Sequence, residues 1–232
     1  MNLSGQEPNL FGEAAKQGNS DTLSERAASL VERDILAGVF RPGDRLGVVA
    51  LSGRYSIGAT PLREGLSRLV SRGLISSIGQ KGFRVTPLSK ADLIDITEVR
   101  VLVETEALGR SMRDGGDGWE ANVLSALHRL SRLVEREPDT MREGTPEFDR
   151  LHKAFHRSLL EACGSERLLK MHDELYDQAY RYRRAMMGLI AAHDDFVAGH
   201  RRLAEVALRR DAGAQRELAT HLRQTVKFVY GD

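Results

Sequence analysis

Cysteine is almost absent from this 232-residue chain: Cys163 is the only one, so no internal disulfide can form. The N-terminus has no basic flank followed by an apolar core, and no stretch approaches the roughly 18 apolar residues of a membrane-spanning helix. Export and membrane insertion are not indicated; a reducing cytoplasm is the expected location, with no membrane partner. Only six prolines occur, none between Pro87 and Pro138, which leaves long stretches free to be helical. Catalytic signatures are missing too. No histidine pair has the HExxH spacing that sets a general base beside a metal, and there is neither a nucleophile elbow nor a phosphate-binding loop.

Net charge is also scarce, at +1, but its distribution is uneven. Residues 22–90 carry 11 Lys/Arg against 5 Asp/Glu, whereas residues 91–232 carry 22 against 25. A basic module is joined to a mildly acidic one, and a concentrated positive field attracts phosphate backbones regardless of sequence. The length exceeds that of a usual single domain, and a 41% hydrophobic content supplies two modest cores. The expected division is a flexible tail over 1–21, a DNA-binding domain over 22–88 and a helical domain over 89–230.

Residues 56–90 spell a helix running into a hairpin. Thr60 is expected to cap the helix, with Pro61 in its first position, where a missing N–H has no consequence. Leu62, Leu66, Leu69 and Val70 then fall on one face, and Arg63, Ser67 and Arg68 on the other, free to enter a major groove. Gly73 ends the helix. Leu74, Ile75 and Ser76 lead into the turn Gly79-Gln80-Lys81-Gly82, and Phe83-Arg84-Val85 returns, giving a hairpin with a basic tip. Upstream, 23–39 makes an amphipathic helix with Ala27, Leu30, Val31, Ile35 and Leu36 as its stripe. Pro42-Gly43 stops it, and 48–55 supplies the shorter helix that precedes a recognition helix. The DNA-contacting set is Thr60, Pro61, Arg63, Ser67, Arg68, Gln80, Lys81 and Gly82, facing double-stranded operator DNA.

With these residues in place, the runs ILAGVFRPGDRL, TPLREGLSRLVSRGLI and GQKGFRV resemble the N-terminal domain of GntR-type bacterial transcription regulators over about seventy residues. That resemblance implies a winged helix-turn-helix acting as a homodimer on a palindromic operator. One departure stands out. The family usually has Ser or Thr followed by Arg before the Thr-Pro, and here Gly58 and Ala59 take those places.

From Ser89 onward the chain reads as helix after helix, an antiparallel bundle. Ser89-Lys-Ala-Asp92 opens the first with a capping-box-like pattern, and Leu93, Ile96, Val99, Val103 and Leu108 continue its stripe to about Arg113. Further helices are expected over 119–136, 146–163, 166–190, 194–210 and 212–229. His152 and His156 are four apart and share a helical face. His200 and His221 lie almost symmetrically about the break at Asp211, so an antiparallel hairpin brings them side by side. Three or four imidazoles thus converge inside the bundle, a ligand set suited to a divalent first-row ion, with zinc first and nickel or manganese as alternatives.

The bundle resembles the effector domain of the FadR-type (FCD) subgroup, on Arg100-Val-Leu-Val-Glu104, Phe155-His156, His200 and His221. HKAFHRSLLEACGS and LYDQAYRYR further resemble members that control small-organic-acid catabolism. In that pattern an Asp commonly precedes the first histidine by four residues; here that position is His152, with Asp149 an alternative fourth ligand. The resemblance points Arg100 at an effector cavity, where a guanidinium fork grips a carboxylate, and Arg181 or Arg183 can serve likewise. Arg100 has the simpler alternative of an i,i+4 pair with Glu104 on an exposed helix. His128, His172 and His193 are expected to be structural or exposed. Two functions follow: a ligand-responsive repressor of an organic-acid operon or, as the alternative, a histidine-rich metallohydrolase with an accessory DNA-binding domain.

Overall fold

The computed structural model describes residues 18–79, 82–143, 145–186 and 193–231. Two compact units emerge. One is the chain to Asp34 together with Gly43–Thr86, and the other is Ile35–Pro42 together with the chain from Pro87 on.

In the first unit, α1 (Gly18–Leu36) buries Ala27 and Val31. It stops short of the expected Val39 because Gly38 turns into the left-handed region, φ 74°, and its N–H returns to the Ile35 carbonyl at 3.0 Å. After it come β1 (Arg45–Leu46), α2 (Val48–Tyr55) and α3 (Ala59–Ser71). Asp34 ties α1 to α2, accepting from Tyr55 Oη at 2.8 Å and Arg54 Nε at 3.0 Å. Burial alone would raise this carboxyl, but Tyr55, Arg33 and Arg54 hold it below the usual carboxylate range.

The start of α3 corrects one expectation. Gly58, not Thr60, is the cap, and the Leu62 N–H reaches the Gly58 carbonyl at 3.2 Å. Pro61 therefore sits third in the helix rather than first. It is tolerated there because every N–H of the first turn lacks an intrahelical partner. The wing is β2 (Ile75–Ser77) against β3 (Phe83–Val85), and β1, not foreseen, adds a third strand in the order β1-β3-β2. Gln80 and Lys81 lie outside the described residues.

In the second unit, α4 (Lys90–Asp114) starts as expected, Ser89 Oγ accepting from the Asp92 N–H at 3.1 Å. Then follow α5 (Asp117–Arg136), a short unforeseen α6 (Asp139–Glu143), α7 (Pro146–Leu160), α8 (Glu166–Met186), α9 (His193–Leu208) and α10 (Ala214–Tyr230). Of the span expected for α8, residues 187–190 lie outside the described set. α7 ends three residues early, where the Cys163 N–H returns to the Leu160 carbonyl and Gly164 adopts φ 65°. α4 packs on α8 and α10, and α5 on α7 and α9. Trp119, Val123, Leu130, Phe148, Phe155, Leu159, Leu203 and Leu218 fill the space between them.

Gly65 is where α3 crosses α1. A Cβ there would stand 2.8 Å from the Ser24 carbonyl oxygen and 2.9 Å from the Ala28 nitrogen, both backbone atoms with nowhere to swing. Gly65→Ala is therefore expected to destabilise by about 1–3 kcal/mol through overpacking, outweighing the roughly 1 kcal/mol that alanine gains in helix propensity. Urea unfolding checks this; a variant as stable as the parent would mean that α1 and α3 separate at little cost.

Candidate functional site

α7 presents His152 and His156, α9 presents His200 and α10 presents His221, and the ligating atoms of all four lie within 4.8 Å of one another. His152 Nε2 stands 2.9 Å from His200 Nε2 and 3.1 Å from His156 Nε2. His200 Nδ1 donates to the Phe196 carbonyl at 2.7 Å, which leaves its Nε2 bare and turned inward. Burial first, then Arg183, pushes His152 well below the usual histidine range. Burial does the same to His156 and His200, and lowers His221 to about 4. Four imidazoles held neutral and convergent suit a divalent borderline ion. Asp149 is not a member of the group; its carboxylate takes the Tyr176 hydroxyl at 3.3 Å instead.

Behind the histidines lies a second layer that the sequence revealed only in part. Arg183 Nη1 approaches His152 Nδ1 at 3.0 Å, and Tyr176 Oη approaches the same nitrogen at 3.1 Å. Arg183 also lies over the Tyr176 ring, 4.6 Å from its centroid, with Arg100 5.4 Å from the same ring. Burial, then Asp177, raises Asp149 to about 6. Arg100 does pair with Glu104, at 2.7 Å, but the pair is buried, not exposed as the simpler reading held. Burial would push Glu104 up, yet Arg100 and His172 beside it hold it at about 2. His172 is structural in the strict sense: fully buried, its Nδ1 3.2 Å from Glu104. His128 is exposed, and the side chain of His193 lies outside the described residues. Tyr176 was missed; its signal was the 172-176-183 stripe on α8.

On the basic unit, Thr60, Arg63, Ser67 and Arg68 are exposed, Pro61 and Gly82 half-buried. Arg68 leans on Glu25 at 3.3 Å, an exposed pair of small consequence, and Ser67 Oγ donates to the Arg63 carbonyl at 2.9 Å. Sequence reasoning overlooked Arg45. It sits directly across the ladder from Arg84, two like charges whose repulsion a phosphate would relieve.

A three-stranded winged helix-turn-helix joined to a helical bundle with a buried polar centre defines a DNA-binding regulator with a separate sensing domain. Residues 23–85 match the bacterial regulatory proteins of the gntR family, and residues 95–224 match the FCD domain. The chain belongs to the GntR family, with an FCD-type bundle, and is a transcriptional regulator rather than an enzyme; the hydrolase alternative falls. It is 36% identical over 204 residues to the HTH-type transcriptional repressor GlaR of Escherichia coli K12, covering 86% of this chain and 92% of that one. The HTH-type transcriptional regulator BphR of Paraburkholderia xenovorans LB400 is 36% identical over 219 residues, 91% of this chain and 86% of that one. The solved structure of E. coli McbR/YncC matches with a TM-score of 0.74 over 90% of this chain and 97% of that one; at 19% identity this speaks for the fold alone.

The neutral histidines set a pH dependence. Unfolded histidines take up protons near pH 6.5, while folded His221 stays neutral down to about 4. The unfolded state thus binds more protons, and each such histidine lowers stability by about 1.4 kcal/mol per pH unit as pH falls below 6.5. Asp149, raised to about 6, takes its proton first in the folded state and offsets one histidine. Metal-free protein in chelator should hold its denaturant midpoint above about pH 7 and lose it steeply toward about pH 5. A flat profile would contradict a buried, neutral cluster.

Proposed function

We propose that this protein is a carboxylate-responsive repressor of an organic-acid operon. In this reading it works as a cytoplasmic homodimer on a palindromic operator, and its bundle holds a divalent ion on His152, His156, His200 and His221. Zinc fits four imidazoles best; nickel also suits, and manganese less so. When bound, the ion supplies a Lewis-acidic position for an oxygen ligand. The observation that carries the reading is Arg183: its Nε and Nη2 are shut off from solvent and find no acceptor among the described residues. Buried donors left unpaired cost about 1–3 kcal/mol, and a carboxylate offers both acceptors in one fork. Arg100, 5.4 Å from the centroid of the Tyr176 ring, is the second cation of this centre. Arg63 on α3, with Arg45 and Arg84 at the wing, supports the DNA reading, to which the sequence expectation adds Gln80, Lys81 and Gly82. The repressor GlaR supports the sign of regulation. Leu102, 73% exposed on α4, and Ile94 two turns earlier support a partner surface for a second copy.

Protein purified without chelator should carry about one divalent ion per chain. Calorimetry with small dicarboxylates and hydroxy acids should find a binder that loosens operator DNA at least tenfold, about 1.4 kcal/mol of preference between states. Arg183→Ala and Arg100→Ala should each lose that response while still binding the operator. Arg63→Ala should weaken the operator by about 1–3 kcal/mol with or without ligand. No acid binding the loaded protein, or one bound equally well by both arginine variants, would remove the sensor reading.

A further inference from the structure

The proton positions around His152 are fixed by its neighbours. A guanidinium can only donate, so Arg183 Nη1, 3.0 Å from His152 Nδ1, requires that nitrogen to be the bare acceptor. The ring proton must then sit on Nε2. That placement agrees with His200, whose Nδ1–H is committed to the Phe196 carbonyl and whose bare Nε2 lies 2.9 Å away to receive it. His156 Nε2, at 3.1 Å, flanks the same N–H. A cluster that converges in space thus has, in this arrangement, an N–H where a fourth ligand would need a lone pair.

We infer that Arg183 is a latch on His152: while it donates to Nδ1, His152 is withheld from the metal, and a carboxylate that draws the guanidinium away turns His152 into the fourth ligand. The inference rests on the metal reading above and goes beyond it by tying metal affinity to carboxylate binding through one imidazole. The change is a tautomeric shift. The Nε2–H bond breaks, an Nδ1–H bond forms by exchange with water, and the imidazole stays neutral throughout. A receiver for the new N–H is already in place: Tyr176 Oη lies 3.1 Å from Nδ1, with Asp149 Oδ1 3.3 Å further on to accept the tyrosine's own proton. Coupling of this kind is reciprocal, so the metal must favour the carboxylate by the factor with which the carboxylate favours the metal.

A double-mutant cycle on zinc affinity, read by competition with a chromophoric chelator on the full-length protein, needs no identified ligand. Arg183→Met should tighten zinc about tenfold, the scale on which outer-shell contacts tune metal sites. His152→Ala should cost little while Arg183 is present and should abolish the gain in the Arg183→Met background. If Arg183→Met leaves zinc binding unchanged or weakens it, the latch is wrong. If the gain persists without His152, simple charge repulsion explains it and the inference also falls. Nitrogen NMR of the metal-free wild-type protein reads the tautomer with no mutation: His152 with its proton on Nε2 upholds the latch, and the proton on Nδ1 overturns it. Failure of the wild-type protein to bind zinc at all would instead remove the metal reading, and the latch with it.

Discussion

The bundle encloses a nitrogen-rich centre largely away from water, and most of its architecture answers to that enclosure. Imidazoles in water titrate near pH 6.5; enclosed by Phe148, Phe155, Phe196 and Tyr176 they are held neutral, and their lone pairs stay available. The same enclosure makes each polar contact consequential. Arg100 is tolerated because Glu104 receives it at 2.7 Å. Arg183 is tolerated only in part, with His152 and Tyr176 on one edge and nothing described on the other.

The end of α8 links this centre to other parts of the bundle. Tyr182 donates to Asp92 and accepts from the Ser89 N–H at 3.2 Å, holding the first turn of α4. Arg183 faces His152. Arg184 donates to the Ala37 carbonyl at 2.9 Å, in the 35–42 segment that packs with the bundle. Three consecutive side chains thus hold the histidine centre, the first turn of α4 and the 35–42 segment, all within the bundle.

What could be read from the sequence was what depends on local spacing. The stripes of α1, α3 and α4, the Ser89 cap, the H-x3-H pair and the symmetry of His200 and His221 about Asp211 are properties of one helix or one hairpin, and they reappear in space. β1 was invisible because two residues carry no periodicity, and their pairing depends on β3 nearly forty residues away. The start of α3 slipped because the first turn tolerates proline at any of its positions. The layer behind the histidines depends on the register of α7 against α8, which no single-helix pattern encodes. His172 was set aside for the same reason: its partner Glu104 belongs to another helix.

Charge around the centre constrains what completes it. Arg100 is offset by Glu104, and the four imidazoles contribute nothing at neutral pH. Asp149, at about 6, is mostly ionised at pH 7 and offsets Arg183 across the Tyr176 ring. Without an ion the centre is therefore close to neutral. On the proposed reading a divalent ion leaves two positive charges uncompensated, since all four ligands are neutral imidazoles. A monocarboxylate would cancel one of them and a neutral sugar neither, whereas a dicarboxylate cancels both and meets Arg183 with one end. Burying net charge costs several kcal/mol per ion even after relaxation, so on that reading four neutral imidazoles leave the demand for negative charge to the ligand.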